Sequence, residues 1–499
     1  MALPKVCGIE TEYGIVVRGA DGNPATASSQ LINAYVAAVQ RGRGGSAVTW
    51  DFEDEHPATD ARGFTLDDAV APEVETTLVN AVLTNGSRYY VDHAHPEIST
   101  PEVLDARQAV RFDRASEEIV RRSMTLAKRL LPDGAEIVVY KNNSDGKGNS
   151  YGCHENYLLA RSVPFGQIVR QVTPHFVTRQ VFCGAGKVGC ELSGADPASV
   201  PYQLSQRADF FEEEVGLETT IKRPIINTRD EPHCDPKKYR RLHVIVGDAN
   251  MSEVATYLKV GTTSIVLAMI EDDVLGDEWT LANPVAAIRR VSHDPGLNVA
   301  IRLQSGVRAT ALEVQWGLLE RARKYELSHG LGAVDEEVGA DVLRRWEHVL
   351  TALEADPDSV ADTVDWVAKR RIVDGYRDRH SLAPGDLRLK AIDLQYHDLR
   401  ADRSLAARAG LATIIGADEV ESAITEPPTG TRAYFRGRCL AKFGDSIVAA
   451  NWDSLVFDLG DEPLRRVPMM EPSRGTAEHV ASLIDSSDTA AELLERLGS

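Results

Sequence analysis

Alternation of polar and apolar positions is sharpest near the N-terminus. After Asn85-Gly86, a pair that favours a tight turn, the chain reads Ser87-Arg88-Tyr89-Tyr90-Val91-Asp92. Successive side chains of a strand point to opposite faces. A strand here therefore shows Arg88, Tyr90 and Asp92 on one face and Tyr89 and Val91 on the other. His93, His95 and Glu97 follow at once. A cation, a phenol and a carboxylate on one face, then two imidazoles and another carboxylate, read as a site; the plainer alternative is a polar outer strand with a His-rich turn.

Residues 5–17 predict an opening strand. Glu10 and Glu12 share one of its faces, about 7 Å apart by strand rise. Two carboxylates so placed repel unless something positive lies between them, and a divalent cation with oxygen ligands is the simplest candidate. Two solvated glutamates on a surface strand are the alternative. Residues 150–158 predict a second polar strand, with His154 and Asn156 on one face and Glu155 on the other. Near 240–245, Arg241 and His243 share a face and Arg240 precedes them; such cations suit phosphate oxygens or neighbouring carboxylates.

Helical spacing covers 28–41, 105–130, 307–327 and 340–354, and most of 251–410 reads as helix. Trp316, Trp346 and Trp366 are expected in the core. Residues 135–142 predict a strand. The 42–75 stretch, rich in Gly, Asp and Glu with a lone Trp50 and Phe52, breaks the pattern and predicts a long mobile loop or insertion. Residues 424–431, ITEPPTGT, predict a hinge. Beyond it, strand-like runs at 432–444 and 446–459 predict a small second domain. Gly184-Ala185-Gly186-Lys187-Val188-Gly189 has the letters of a dinucleotide fingerprint, but the ELSGADPASVP that follows cannot open the required helix. A glycine-rich hairpin is the expectation there.

Composition narrows the classes. The 499 residues carry 55 Lys and Arg against 75 Asp and Glu, a net charge of −20, which argues against general nucleic-acid binding. Six scattered cysteines without a CxxC pair suit a reducing cytoplasm. The N-terminus does not read as a signal peptide, and no apolar run is read as long enough to span a membrane. No GxSxG, HExxH, P-loop or EF-hand motif is present. Strands bearing Glu pairs, Arg, Tyr, Asp and His point to an enzyme that uses Mg2+ and a nucleotide, without naming a substrate.

The motifs go further. Gly8-Ile9-Glu10-Thr11-Glu12-Tyr13-Gly14, Arg88-Tyr89-Tyr90-Val91-Asp92, His95-Pro96-Glu97 and Thr100-Pro101-Glu102 resemble the Pup ligase / Pup deamidase family. Tyr151 to Tyr157, Arg241 to Asp248 and Asn451-Trp452-Asp453-Ser454-Leu455 resemble it too. The resemblance implies an α+β fold related to glutamine synthetase: a large domain, 1–425, whose curved antiparallel sheet is backed by helices, with an acidic mobile insertion at 42–80, and a small C-terminal domain, 430–499. It implies ATP and Mg2+ as cofactors and, as partners, Pup (a small disordered protein tag) and pupylated proteins.

Within the family, the insertion and His93-Ala94-His95 resemble the deamidase branch, which hydrolyses the tag's C-terminal glutamine to glutamate and removes the tag from lysines. The resemblance implies Asp92 as nucleophile or base. It implies Glu10, Tyr90 and Glu97 as magnesium ligands, and Arg88, Thr100 and Trp452 as ATP contacts. Strand-face reasoning with motif membership adds Glu12 and His154 to the metal set and Asn156, Arg240, Arg241 and His243 to the ATP set. A cytoplasmic monomer that binds neither nucleic acid nor membrane is expected. The alternatives are the ligase of the same fold, a catalytically silent ATP-binding adaptor for tagged proteins and, remotely, another amide ligase related to glutamine synthetase.

Overall fold

The computed structural model describes residues 1–40, 48–53, 55, 59–63, 79–192, 199–219, 222–460 and 463–498. The strands in chain order are β1 (Cys7–Glu12), β2 (Gly14–Arg18), β3 (Thr49–Trp50), β4 (Asn80–Val82), β5 (Arg88–Asp92), β6 (His95–Ser99), β7 (Glu136–Tyr140), β8 (Cys153–Ala160), β9 (Lys187–Val188) and β10 (Tyr202–Gln203). They continue with β11 (Glu213–Gly216), β12 (Pro224–Asn227), β13 (Tyr239–Val244), β14 (Ala300–Arg302), β15 (Arg308–Thr310), β16 (Ile447–Ala450), β17 (Ser454–Phe457) and β18 (Arg465–Pro468).

Ten of these strands form one sheet in the order β13-β8-β1-β6-β5-β4-β3-β16-β17-β18. Its neighbours are antiparallel except β3 and β16, which run parallel. The sheet is therefore mixed at one ladder, where the expectation was purely antiparallel. Strands β1, β5 and β8 alternate half-buried and buried residues, β5 burying Tyr89 and Val91 and β1 burying Ile9 and Thr11, whereas β6 is buried from Pro96 to Ser99. Three helices cover this apolar face: α1 (Pro24–Gln40), α2 (Ala106–Lys128) and, after α3 (Phe165–Thr178) and the short α4 (Gln180–Cys183), α5 (Glu253–Glu271). Ile9, Tyr89, Ile98 and Tyr157 join Val110, Phe112 and Ile119 of α2 in one buried cluster. Full burial of each such side chain contributes about 1.5–3 kcal/mol. The polar residues that alternate with them are left on the opposite face.

Several expected elements differ. The opening strand is two strands. Tyr13 breaks it, donating its backbone N–H to Pro96 O at 3.0 Å, after which β2 leaves the large sheet to pair with β7. The helix expected from 307 begins at 311, because Arg308–Thr310 pairs with Ala300–Arg302 and Thr310 with Glu313 forms a capping box. The glycine-rich stretch is a hairpin ladder, β9 on β10. Glu253–Glu271 is in fact long and apolar enough to cross a membrane, contrary to the sequence reading; its apolar window is entirely buried, as suits a core helix. Much of the 42–80 insertion lies outside the described residues, but Thr49–Trp50 within it is a strand that joins β4 to β16.

The helical region continues with α6 (Pro284–Ser292), α7 (Ala311–His329), α8 (Glu336–Ala355), α9 (Asp365–His380), α10 (Leu387–Tyr396) and α11 (Ala417–Ala423). Trp346 and Trp366 are fully buried and Trp316 is half-buried against the core. Residues 433–443, expected as strand, form helix α12 (Ala433–Phe443), followed at the C-terminus by α13 (Ala477–Ser486) and α14 (Ala490–Gly498). From the N-cap Arg432 through α12, Arg432, Phe435, Arg436, Cys439, Leu440 and Phe443 are buried at three- and four-residue spacing, the period of a helix. Phe435, Leu440, Phe457 and Leu493 belong to a second buried cluster, separate from the first although the sheet runs through both.

Candidate active site

Register builds the site. Across the polar face, Tyr90 pairs with Glu97, and Glu97 with Glu12, giving one row over β5, β6 and β1. The adjacent row is Arg88, Ser99, Glu10 and His154. A third sets Gly8, Asn156 and His243 side by side. Eight of the expected residues thus stand in three rows on five neighbouring strands beside Asp92 and Arg241.

Asn156 organises the middle of this face. Its Nδ2 donates to Glu10 Oε1 at 2.8 Å. Its Oδ1 accepts from Arg241 Nη1 at 3.1 Å and from His243 Nδ1 at 2.9 Å. The proton of a neutral His243 thus sits on Nδ1, and Nε2 keeps its lone pair. His154 stands between the two glutamates, with Nδ1 3.5 Å from Glu10 Oε2 and Nε2 3.8 Å from Glu12 Oε1. An imidazole supplied by β8 therefore stands where a positive charge was expected between Glu10 and Glu12.

Ligand atoms of Glu12, Asp92 and Glu97 lie within 4.8 Å of one another, and so do those of Glu10, His154 and His243. Burial holds the Glu97 carboxyl well above the usual range, and Asp92, Glu12 and Glu10 add to the effect. Among the described residues, this buried carboxyl facing three others meets no positive partner, which is what a hard divalent cation with oxygen ligands provides. The donor set fits Mg2+. Burial keeps Tyr90 a neutral phenol; its hydroxyl hydrogen-bonds Glu97 and lies 3.4 Å from Ser99 Oγ. Asp92 differs from Glu97. Its side chain is 40% exposed, and burial is outweighed by His93, whose Nδ1 lies 3.0 Å from Oδ2, so its carboxyl falls below the usual value. Two neighbouring carboxyls are thus pushed in opposite directions by their surroundings.

Beside the carboxylates a half-open pocket runs past Gly8, Thr100, Glu102, His233, Arg432 and Trp452. Thr100 Oγ1 accepts from Ile9 N–H at 3.0 Å. Arg88 lies on the polar face as expected, its guanidinium 3.9 Å from the centroid of the Trp50 ring and 4.0 Å from that of Tyr90, with Nε donating to Asn80 Oδ1 at 2.9 Å. Arg240 is not on this face. Strand alternation turns it away to Phe165 and to Val163 O, 3.3 Å from Nη1, so the expectation that it contacts ATP is corrected.

Three further cations escaped sequence reasoning. Arg207 is fully buried, and Arg223 is pressed down to about 9 by burial and by Arg207. Both feel the charge of Glu12, and Arg229 lies near Glu55 and His243. Among the described residues, the Nε atoms of Arg207, Arg229 and Arg241 are buried without a hydrogen-bond acceptor. Crowded guanidinium groups with open donors fit an anion such as phosphate. They sit in turns and irregular segments, where no periodicity marks a face.

The model of the Pup-ligase protein family matches residues 5–456. The chain belongs to this family. Among curated relatives, the depupylase of Acidothermus cellulolyticus is 54% identical over an alignment of 507 residues, covering 99% of each chain. The Pup deamidase/depupylase of Mycolicibacterium smegmatis is 46% identical, covering 99% of this chain and all of its own. The Pup–protein ligase of Kineococcus radiotolerans is 42% identical, over 82% of this family member and 90% of itself. Among solved structures, the complex of the prokaryotic ubiquitin-like protein Pup with its ligase PafA aligns with a TM-score of 0.79 at 32% identity, covering 97% of this chain and 92% of that one. PafA in complex with ADP aligns with a TM-score of 0.73 at 36% identity, covering 81% and 89%. The α+β fold is that of this family.

Proposed function

We infer that this protein is a Pup deamidase/depupylase: it hydrolyses the C-terminal glutamine of Pup to glutamate and cleaves the isopeptide bond between Pup and a lysine. The observation that supports it above others is the sequence similarity to depupylases, 54% identity over 99% of this chain, against 42% over 82% for a ligase. The site's chemistry agrees. An amide carbonyl is a poor electrophile, and its hydrolysis needs a nucleophile or base together with stabilisation of the developing oxyanion. Asp92, ionised and partly open to solvent, is the group proposed to attack the carbonyl carbon or to take a proton from water.

Glu12, Glu97 and Glu10, with Tyr90 and His154, would hold Mg2+. The pocket along Thr100 and Trp452, with Arg241, Arg88, Asn156 and His243, would hold ATP. When bound, Mg2+ supplies Lewis-acid stabilisation of negative charge. Amide hydrolysis runs downhill, so ATP is proposed as a bound cofactor rather than a fuel. The division into a catalytic unit over 1–425 and a small unit over 430–499, a monomeric state and a cytoplasmic location belong to the same proposal.

Mass spectrometry of Pup ending in glutamine, incubated with the protein, Mg2+ and ATP, tests the reading. The expected result is the mass gain of amide-to-acid exchange with ATP largely intact, lost in Asp92→Asn while nucleotide binding persists. ATP-dependent attachment of the glutamate form to lysine, without deamidation, would mean a ligase. Full activity in Asp92→Asn would remove Asp92 from its role.

A further inference from the structure

The Thr100-Pro101-Glu102 motif ends in a residue to which the proposed chemistry assigns no part. Glu102 is held by two arginines from the region of α12. Arg432 Nε lies 2.8 Å from Glu102 Oε1, Arg436 Nη1 lies 3.3 Å from the same oxygen, and Arg436 Nη2 bonds Oε2. Both arginines are buried, Arg436 completely. Burial alone would raise the Glu102 carboxyl, yet Arg436 and Arg432 bring it down to about 2.

The two arginines also donate to four separate segments. Arg436 donates to Gly86 O at 3.0 Å, in the turn before β5, and to Trp452 O at 3.0 Å, between β16 and β17. Arg432 donates to His233 O at 2.6 Å and to Met469 O at 2.8 Å. Glu102, His233, Arg432 and Trp452 all line the pocket. The same helix contributes Phe435, Cys439 and Leu440 to the second buried cluster. The ionic cluster therefore joins the pocket wall to the packing of the C-terminal unit.

We propose that Glu102, Arg432 and Arg436 are positioning residues that couple nucleotide occupancy of the pocket to the docking of the C-terminal unit. The proposal rests on the nucleotide reading above. A buried ion pair adds little stability by itself, whereas removing one member leaves an uncompensated charge; its main effect here is to fix the relative placement of His233 and Trp452. Coupling is reciprocal: the factor by which a bound nucleotide favours the docked C-terminal unit equals the factor by which docking strengthens the nucleotide, so a loosened cluster weakens nucleotide binding in proportion to the docked fraction that is lost.

The test uses the full chain with Mg-ADP, combining calorimetric titration with amide hydrogen exchange. In the wild type, ADP is expected to slow exchange in Ile447–Phe457 as well as in Cys7–Glu12. In Glu102→Gln, ADP affinity is expected to fall on the order of tenfold, and ADP to slow exchange in Cys7–Glu12 alone. Arg436→Lys keeps the charge but loses the planar fork; an intermediate effect is expected, and this variant serves if Glu102→Gln does not fold. ADP protection of Ile447–Phe457 that persists undiminished in both variants overturns the coupling alone. No ADP binding by the wild type overturns the nucleotide reading and the coupling with it.

Discussion

Glu12 and Glu97 are direct register partners on neighbouring antiparallel strands, and they share the face that carries Asp92. Like charges placed so are destabilising by up to about 1 kcal/mol, and burial of Glu97 adds to the conflict. Without metal, Glu97→Gln is expected to stabilise the protein by about 1 kcal/mol and to abolish the stabilisation that Mg2+ gives the wild type. Thermal unfolding in chelator and in Mg2+ checks both; destabilisation in chelator would show that Glu97 already has a cationic partner.

Asn156 holds Glu10, Arg241 and His243 in one arrangement through a single amide. Asn156→Ala is expected to lower Mg2+ and nucleotide affinity about 10- to 100-fold, the usual effect of losing a residue that orients ligands, while secondary structure is retained. Titration of both ligands, with circular dichroism as control, decides it.

Trp50 is 4% exposed and meets Arg88 on one side and Trp452 edge-on at 5.2 Å on the other, with Nε1 donating to Glu55 Oε1 at 2.6 Å. It lies on β3, the strand that links the two halves of the sheet. Trp50→Ala is expected to cost about 3 kcal/mol. Denaturant unfolding followed by a probe in the C-terminal unit should show the loss there; an unchanged midpoint would mean that β3 carries no weight in the join.

His175 and His397 lie in the core, far from the carboxylates in sequence. Burial holds both imidazoles well below the usual range, with Arg179 adding to the effect at His175 and Lys369 at His397. The folded state keeps them neutral. Below the unfolded value of about 6.5, the unfolded chain takes up protons that the folded chain refuses. Stability is therefore fully present above about pH 6.5 and falls as the pH drops, by up to about 1.4 kcal/mol per pH unit for each histidine. Urea unfolding from about pH 7.5 to about pH 5.5 measures the slope; a flat profile would contradict neutral burial.

Local periodicity was enough for much of the site. A strand shows alternate residues on one face whatever its partners, so Arg88, Tyr90 and Asp92, Glu10 and Glu12, and His154 and Asn156 could be grouped by spacing. The same alternation required Arg240 and Arg241 to part company, a consequence the motif obscured. The helix at 433–443 was hidden because Arg432 and Arg436 are buried among apolar residues as ion partners of Glu102, and a charge at a core position breaks the apolar pattern on which a helix is recognised.

What the sequence determined by itself is therefore short-range: which residues share a strand face, where turns fall, and through motif resemblance which family the chain joins. What only the tertiary structure decided is register and closure. The alignment of Tyr90, Glu97 and Glu12 in one row depends on how β5, β6 and β1 slide against each other. Arg207, Arg223 and Arg229 approach the carboxylates only once distant turns have packed. Strand pairing across long separations and the burial of ion partners are set by the summed packing of the whole core, and that sum has no local signature along the chain.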